Sequence, residues 1–217
     1  MKKLLLLLAG LVAGTSAPAA LSTLLELTHA EIAPAHLRES VVIIIDAQRE
    51  YVDGRLPLAG IESALAQTQR LLVRARAAGV PIVHIQQVSA PGRGIFEAGG
   101  RLVDFCPQSA PQPGEIVITK QLPNAFAGTA LDDTLRRLGR KSLVVSGYMT
   151  HMCVSATARA ALDLGYRATV IGDACATRDL PGDEGGALPA ETVHRVALAE
   201  LADRFAAVVA TLDHIPD

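Results

Sequence analysis

Three reactive side chains occupy equivalent places in a series of predicted strands. Asp46 directly follows the first apolar run, Lys120 follows the third, and Cys153 begins a helix after the fourth. Residues that follow parallel strands lie at one edge of a sheet, so we expect these three to converge although they are far apart in the chain. A carboxylate, an ammonium group and a thiol together can carry out nucleophilic catalysis. We therefore predict Cys153 as a nucleophile assisted by Asp46 and Lys120.

Each of these residues taken alone also has a structural interpretation. An aspartate after a buried strand often shapes a turn or caps a helix, as Asp46 could. A lysine at the end of a strand, such as Lys120, is usually solvated, and a cysteine in an alanine-rich helix, such as Cys153, often fills the core. Their coincidence at one predicted edge favours chemistry over these separate explanations.

The elements that must position the three residues alternate regularly along the chain. Strands are predicted at 41–45, 81–85, 116–119, 142–146, 168–171 and 207–210, and helices at 61–78, 129–138, 153–164 and 190–204. The first strand is β-branched throughout, as in strands that are buried on both faces. The alternation predicts an α/β, three-layer Rossmann-like fold, with a mainly parallel sheet of about six strands and helices on both faces. The long connections at 87–114 and 178–189 are expected to form lids or subunit contacts.

The local sequence at these positions resembles one family. The segments 147–154 (GYMTHMCV), 45–48 (IDAQ) and 119–120 (TK) are similar to the nucleophile, aspartate and lysine segments of isochorismatase-like hydrolases, and 157–161 (TARAA) and 173–174 (DA) also fit. The resemblance runs in order from about residue 41 to residue 209, which is nearly the whole predicted domain. It implies a cysteine hydrolase of the isochorismatase-like superfamily.

The resemblance also implies how the site works. Asp46 would take the proton of the Cys153 thiol and later give it to the leaving group. The peptide bond between Tyr148 and Met149 would be cis, and the backbone N–H groups of Met149 and Cys153 would form an oxyanion hole. A helix N-terminus and the nearby Lys120 are expected to favour the thiolate of Cys153.

The superfamily includes hydrolases of two kinds of bond. Isochorismatases that cleave a vinyl ether often lack the cysteine, so the presence of Cys153 favours cleavage of a small amide or imide C–N bond through an acyl-enzyme thioester. A vinyl-ether hydrolase and a non-catalytic small-molecule-binding member of the fold remain as alternatives. A nucleotide-binding Rossmann protein is not supported, because the turn at 46–50 reads DAQRE and lacks a G-x-G-x-x-G motif.

No metal and no other cofactor are expected. Nicotinamidases of the superfamily hold a metal on a D-x-H segment, but residues 53–55 read DGR here. His84 ends the second strand beside glutamines, which are weak metal ligands, so we interpret it as a hydrogen-bonded structural residue. His151 and His194 are likewise expected to have structural roles.

The substrate pocket is predicted to be small and mostly apolar. Tyr148 and Met149 adjoin the nucleophile, and Phe126 follows Lys120 closely enough to form a wall, although it could equally pack in the core. Gln48 could orient Asp46 or a substrate carbonyl. We therefore predict Tyr148, Phe126 and Gln48 as substrate-binding residues for a small amide or imide with an apolar or planar face.

The first twenty residues differ from the rest of the chain. Lys2 and Lys3 precede an apolar run at 4–13 and an A-x-A pattern at 17–19, as in a secretory signal. We predict a signal peptide in 1–20 and one hydrolase domain in 21–217, hence a periplasmic or secreted protein, or a cytoplasmic one if the segment is not cleaved. The run is shorter than the roughly 20 residues of a spanning helix, so no stable membrane anchor is expected.

The composition of the chain indicates which classes of binding partner to expect. A net charge of -2 and an aromatic content of 3% give no sign of nucleic-acid binding. The expected partners are a small-molecule substrate and, from the superfamily, further copies of the chain in a homo-oligomer. The three cysteines are an odd number, so at least one thiol is free. Cys175 follows the fifth strand and could approach Cys153, but we expect both to be unpaired.

Overall fold

The computed structural model of the protein describes residues 21–30 and 32–217. The predicted signal segment therefore lies outside the described residues. The main sheet contains six strands: β1 (Ser40–Ile45), β2 (Ile82–Gln87), β3 (Ile116–Lys120), β4 (Ser142–Tyr148), β5 (Arg167–Ala176) and β8 (Ala207–Val209). Their order is β3-β2-β1-β4-β5-β8, and every neighbouring pair is parallel. The predicted α/β architecture is confirmed.

Helices cover both faces of this sheet. They are α1 (Leu24–Leu27), α2 (Ile61–Ala77), α3 (Leu131–Leu138), α4 (Ser155–Asp163) and α5 (Ala190–Arg204). Helix α2 packs its buried leucines on one face of the sheet, while α3, α4 and α5 contribute to a second core on the other face. Among the described residues, no helix combines the length and the apolar character needed to span a bilayer.

Strand β1 shows why the sheet is buried on both faces. All six of its residues are buried. Because successive side chains of a strand point to opposite faces, Val42 and Ile44 join the core beneath α2, whereas Val41, Ile43 and Ile45 join the other core. The central strand can therefore be apolar along its whole length.

The boundaries differ from the prediction mainly at the carboxyl ends of the strands. Strands β2, β4 and β5 each run beyond the predicted end, and the helix predicted to begin at Cys153 is preceded by a π-helical turn at Thr150–Val154. The long connection after β2 contains short 3-10 helices at Arg101–Val103 and Pro107–Ser109. The connection after β5 contains a small antiparallel hairpin of β6 (Leu180–Pro181) and β7 (Ala187–Leu188).

Candidate active site

The sheet brings the three predicted catalytic residues to its carboxyl edge. Asp46 follows β1, Lys120 is the last residue of β3, and Cys153 lies in the π-helical turn after β4. Strand β2 separates β3 from β1, so the long side chain of Lys120 reaches past it toward Asp46. The topology therefore assembles three distant segments at one point.

The three side chains form a connected, buried group. Lys120 Nζ lies 2.8 Å from Asp46 Oδ2 and 3.3 Å from Cys153 Sγ. The exposed fractions are 0% for Asp46, 2% for Lys120 and 5% for Cys153. The ion pair between lysine and aspartate is thus shielded from water and stands next to a thiol that is almost covered.

Burial dominates the electrostatics of this group. It raises the pKa of Asp46, because a carboxylate is less well solvated inside the protein, and the positive charge of Lys120 opposes that rise. Burial and the charge of Asp46 likewise raise the pKa of the Cys153 thiol to about 12, against the opposing effect of Lys120. Lys120 thus acts on Cys153 in the expected direction, toward the thiolate, but burial and the charge of Asp46 outweigh it.

The end of β4 shapes the turn that carries Cys153. The Tyr148–Met149 peptide bond is cis, as the resemblance implied. Gly147 has a φ of +136°, and a Cβ atom there would lie 2.1 Å from the carbonyl oxygen of Ile45. Only glycine permits this close approach between β4 and β1. The backbone N–H groups of Met152 and Val154 both donate to the carbonyl of Met149, at 3.0 and 3.2 Å, which closes the turn around Cys153.

Two glutamines support the group, and sequence reasoning missed the more important one. Gln87, the last residue of β2, accepts a hydrogen bond of 2.7 Å from Lys120 Nζ and also lines the cavity beside Cys153. Its position at the end of a neighbouring strand was the available signal. Gln48 is fully buried, and its Nε2 donates to the carbonyls of Gln87 and Val103 at 2.9 and 2.7 Å. The side chain of Gln48 therefore holds backbone segments together and does not face the cavity.

A cavity of about 190 Å³ opens beside Cys153. Most of its lining is apolar, and none of the described residues that line it carries a formal charge. The lining consists of Tyr51, Leu56, Gln87, Ser89, Ile95, Phe96, Gln121, Pro123, Met149, Met152 and Cys153. The segment after β1 and the long connection after β2 contribute Tyr51, Leu56, Ser89, Ile95 and Phe96 to this lining. The sequence did not identify either segment as a pocket wall.

Two aromatic residues predicted for the pocket lie elsewhere. Phe126 stacks on Tyr166 with 5.8 Å between ring centroids and packs against the core that contains α3 and α4. Tyr148 is completely buried in the core beneath α2, with its ring 5.9 Å from that of Tyr51. Neither ring lines the cavity, and Tyr51 and Phe96 are the aromatic residues that border it.

The histidines make structural hydrogen bonds. His84 Nε2 lies 2.8 Å from Glu115 Oε2, His151 Nδ1 lies 2.5 Å from Thr177 Oγ1, and His194 Nδ1 lies 2.9 Å from Thr150 Oγ1. The last contact ties α5 to the turn that carries Cys153. Within the described ranges, no three His, Cys, Asp or Glu side chains are grouped closely enough to hold a metal ion. All three cysteines are buried free thiols.

The chain is similar to known proteins over almost its whole described length. A model of the isochorismatase domain family matches residues 40–213. A secreted isochorismatase effector of Verticillium dahliae is 40% identical over 179 residues, which cover 82% of this chain and 92% of the relative. A ureidoacrylate amidohydrolase of Variovorax paradoxus is 30% identical over 182 residues, covering 68% of this chain and 71% of that protein. The crystal structure of an isochorismatase from Pseudomonas putida KT2440 superposes with a TM-score of 0.84 at 44% identity, over 88% of this chain and 97% of that one.

Proposed function

This chain is a hydrolase of the isochorismatase family, and we propose that it cleaves the C–N bond of a small amide or imide through a thioester on Cys153. The observation that carries the proposal is the contact of Lys120 Nζ with both Asp46 and Cys153 at the edge of an apolar cavity. An amidohydrolase among the relatives supports the choice of a C–N bond.

The proposed reaction begins with the protonated thiol. Asp46 takes the proton as the Cys153 sulfur attacks the substrate carbonyl carbon, and the backbone N–H groups of Met149 and Cys153 stabilise the oxyanion. The C–N bond then breaks, and Asp46 returns the proton to the leaving nitrogen. In the second half, Asp46 takes a proton from water, the resulting hydroxide attacks the thioester, and the sulfur leaves to recover that proton.

The electrostatics of the site suit this proton transfer. A thiol with a pKa of about 12 needs a base in contact, and the raised pKa of Asp46 makes it a stronger base than an ordinary carboxylate. Lys120 stabilises the negative charge whether it resides on oxygen or on sulfur. We therefore assign Asp46 as the general acid and base and Lys120 as its electrostatic partner.

The cavity indicates the substrate class. A volume of about 190 Å³ with an uncharged and mostly apolar lining suits a neutral molecule of small size. Met149 adjoins the reacting carbon in the proposed geometry, while Gln87 and Gln121 offer hydrogen-bonding groups for an amide. Because Gln48, Phe126 and Tyr148 do not line the cavity, we replace them in the proposed substrate-binding set with Tyr51, Phe96 and Gln87.

Replacement of the nucleophile tests the mechanism. We expect Cys153→Ala to lower kcat for ammonia release from a panel of small neutral amides by about a thousandfold or more, because no other described thiol touches Asp46. Cys106→Ala is the matched control and should retain activity, since Cys106 is buried away from this cavity. Mass spectrometry of the quenched wild-type reaction should find the acyl group on Cys153. Full activity of Cys153→Ala would contradict the proposal.

A vinyl-ether hydrolase is the second candidate, and the isochorismatase effector of Verticillium dahliae favours it. In that case isochorismate would release pyruvate, the small amides would release no ammonia, and Cys153→Ala would keep its activity. If neither product forms, the third possibility, a non-catalytic binding protein, gains support. The two product assays on the same wild-type preparation separate these outcomes.

Export and assembly also belong to the proposal. The isochorismatase effector of Verticillium dahliae is a secreted protein, which agrees with the proposed secretory signal in residues 1–19 of this chain. Mass determination of the mature N-terminus would reveal cleavage after Ala19. We also propose a homo-oligomer, and light scattering of the purified enzyme would detect it.

A further inference from the structure

A buried carboxylate outside the proposed chemistry stands directly behind the cavity. Glu50 lies in the short 3-10 helix at Arg49–Tyr51, four residues after Asp46, and only 1% of it is exposed. Its Oε1 accepts a hydrogen bond of 2.6 Å from the backbone N–H of Arg55, and its Oε2 accepts one of 3.2 Å from that of Phe96. Each oxygen therefore binds a different segment of the chain.

Those two segments supply much of the apolar wall. The first leads into Leu56, and the second contains Ile95 and Phe96, all of which line the cavity. Tyr51, the residue after Glu50, also lines it and meets the ring of Phe96 edge-on at 5.2 Å between centroids. A single carboxylate thus holds together the parts of the wall that face Cys153.

Neighbouring residues pack closely around Glu50. A Cβ atom at Gly54 would lie 2.6 Å from the Cα of Glu50 and 2.7 Å from its Oε1, so no larger residue fits there. The connection after β2 is also attached through Arg55, whose Nη1 donates to the carbonyl of Gly94 at 3.2 Å. Within that connection, Ser89 N–H donates to the carbonyl of Phe96 at 2.8 Å. Glu50 and Arg55 therefore both bridge this connection to the segment that follows the catalytic aspartate, and Glu50 does so from a buried position.

We propose that Glu50 is a positioning residue that sets the wall formed by Leu56, Ile95 and Phe96 and thereby selects substrates with an apolar or planar acyl group. The inference rests on the proposed amide hydrolysis. Glu50 takes no part in the proton transfer. Its loss should weaken binding of a ring-bearing acyl group while leaving the attack by Cys153 on a minimal substrate intact.

The variant Glu50→Gln separates these effects. A carboxylate can accept both backbone hydrogen bonds, whereas an amide accepts one and turns its NH₂ group toward the other N–H. Glu97→Gln is the matched control, because Glu97 Oε1 accepts from Gly94 N–H within the same connection and does not bridge to Glu50. Hydrogen exchange should be faster at the backbone amides of Arg55 or Phe96 in Glu50→Gln and unchanged there in Glu97→Gln.

Two amides measure the effect on substrate choice. We expect Glu50→Gln to raise KM for benzamide about tenfold while kcat for acetamide stays within about twofold of wild type. Glu97→Gln should leave both values near wild type. An unchanged KM for benzamide, or an equal loss on acetamide, would overturn the assignment of Glu50.

A second readout does not depend on hydrolysis. Iodoacetamide and iodoacetanilide differ by a phenyl ring, and both alkylate a thiol with release of iodide. We expect the preference of Cys153 for the anilide, measured by peptide mass mapping, to fall about tenfold in Glu50→Gln and to persist in Glu97→Gln. If no amide is hydrolysed but this preference falls, the proposed function fails and the role of Glu50 stands. If the wild type shows no preference for the ring, the role of Glu50 is wrong.

Discussion

Lys120 is buried between a carboxylate, that of Asp46, and a thiol that can become negatively charged, that of Cys153. Its Nζ is 2.8 Å from Asp46 and 3.3 Å from Cys153, and Gln87 accepts a third contact at 2.7 Å. Removing one member of a buried ion pair leaves the other without compensation. The protonation of Asp46 should therefore depend strongly on Lys120.

Lys120→Met tests this dependence. The variant removes the charge that opposes the burial-induced rise in the pKa of Asp46, so that pKa should rise further. The acid limb of the kcat/KM profile should then move to higher pH, and kcat/KM at pH 7 should fall about a hundredfold or more. Measurement of initial rates across pH, with circular dichroism as a check on folding, detects both effects.

Lys141→Met is the control for the same change of side chain. Lys141 lies over the ring of Tyr166, 4.6 Å from its centroid, and makes no contact with the catalytic group. Its pH profile should match that of wild type. An acid limb that stays in place in Lys120→Met would mean that another group sets the ionisation of Asp46.

The sequence was sufficient to predict that Asp46, Lys120 and Cys153 meet at one edge of the sheet, but not which residues surround them. Asp46, Lys120 and Cys153 each follow a strand of strong apolar character, and the carboxyl ends of parallel strands have to meet. Tyr51 and Phe96 come from irregular segments, whose path depends on single contacts such as the carboxylate of Glu50. Such contacts produce no periodic pattern in the sequence, so the position of these segments could not be predicted from it.

At the scale of elements, the end of β4 carries the strongest backbone constraint. Gly147 pairs with Ile45 of β1 on one side and with Cys175 of β5 on the other, and the register of the β4–β5 pair shifts between Val145 and Gly147. The sheet therefore changes geometry just before the turn that carries Cys153. Beyond this shift, the pairs Gly147–Cys175 and Tyr148–Ala176 carry β4 and β5 past their predicted limits.

Gly147→Ala should be severely destabilising. The new Cβ would lie 2.1 Å from the carbonyl oxygen of Ile45, on backbone that cannot move without breaking the pairing of β1 with β4. We expect a loss of about 4 kcal/mol or more in the free energy of unfolding, or failure to fold. Thermal denaturation followed by circular dichroism measures it.

Gly139→Ala provides the matched comparison. Gly139 also has a positive φ, +68°, but a Cβ atom there would meet nothing within 4 Å. Gly139→Ala should lower the free energy of unfolding by about 1 kcal/mol, because alanine is less stable than glycine in left-handed backbone. Equal losses in the two variants would show that the left-handed backbone, and not the contact with Ile45, determines the effect at Gly147.

Prediction was most accurate for elements with a regular apolar pattern. Helix α2 begins at Ile61 as expected, and it buries apolar residues at helical spacing, including Ala64, Leu65, Leu71, Leu72 and Ala75. The π-helical turn before α4 was missed, because the residues at 150–154 contain no feature that distinguishes a π turn from an α turn. The apolar pattern positions the layers, while the departures from regular geometry occur next to the site.

Across the whole molecule, one ionic cluster joins the layer of helix α2 to the sheet. Arg76 of α2 donates to Glu115 through Nε and Nη2 at 2.7 and 3.0 Å, and Glu115 also contacts His84 of β2 at 2.8 Å. Glu115 immediately precedes β3. The cluster therefore connects α2, the sheet and the long connection that supplies the cavity wall.

The cluster should make the fold sensitive to acid. Burial raises the pKa of Glu115, but hydrogen bonds from Arg76, Gln112 and His84 outweigh it and bring that pKa down to about 2. A carboxyl whose pKa is lower in the folded state stabilises the fold above its usual pKa near 4.5, and this contribution disappears as the pH falls toward 2. Burial also lowers the pKa of His84, so acidification below 6.5 favours the unfolded chain for a second reason.

Glu115→Gln should weaken this acid sensitivity. The variant has no carboxylate at this position to protonate between pH 4.5 and 2, so its free energy of unfolding should vary less with pH in that window. At pH 7 its free energy of unfolding should be about 1 kcal/mol lower than that of wild type, because the ionic contacts are lost. Denaturant unfolding at a series of pH values measures both. Glu62→Gln, at an exposed position of α2, should follow the wild-type curve. A wild-type curve that is flat between pH 4.5 and 2 would show that Glu115 is not held in this cluster in solution.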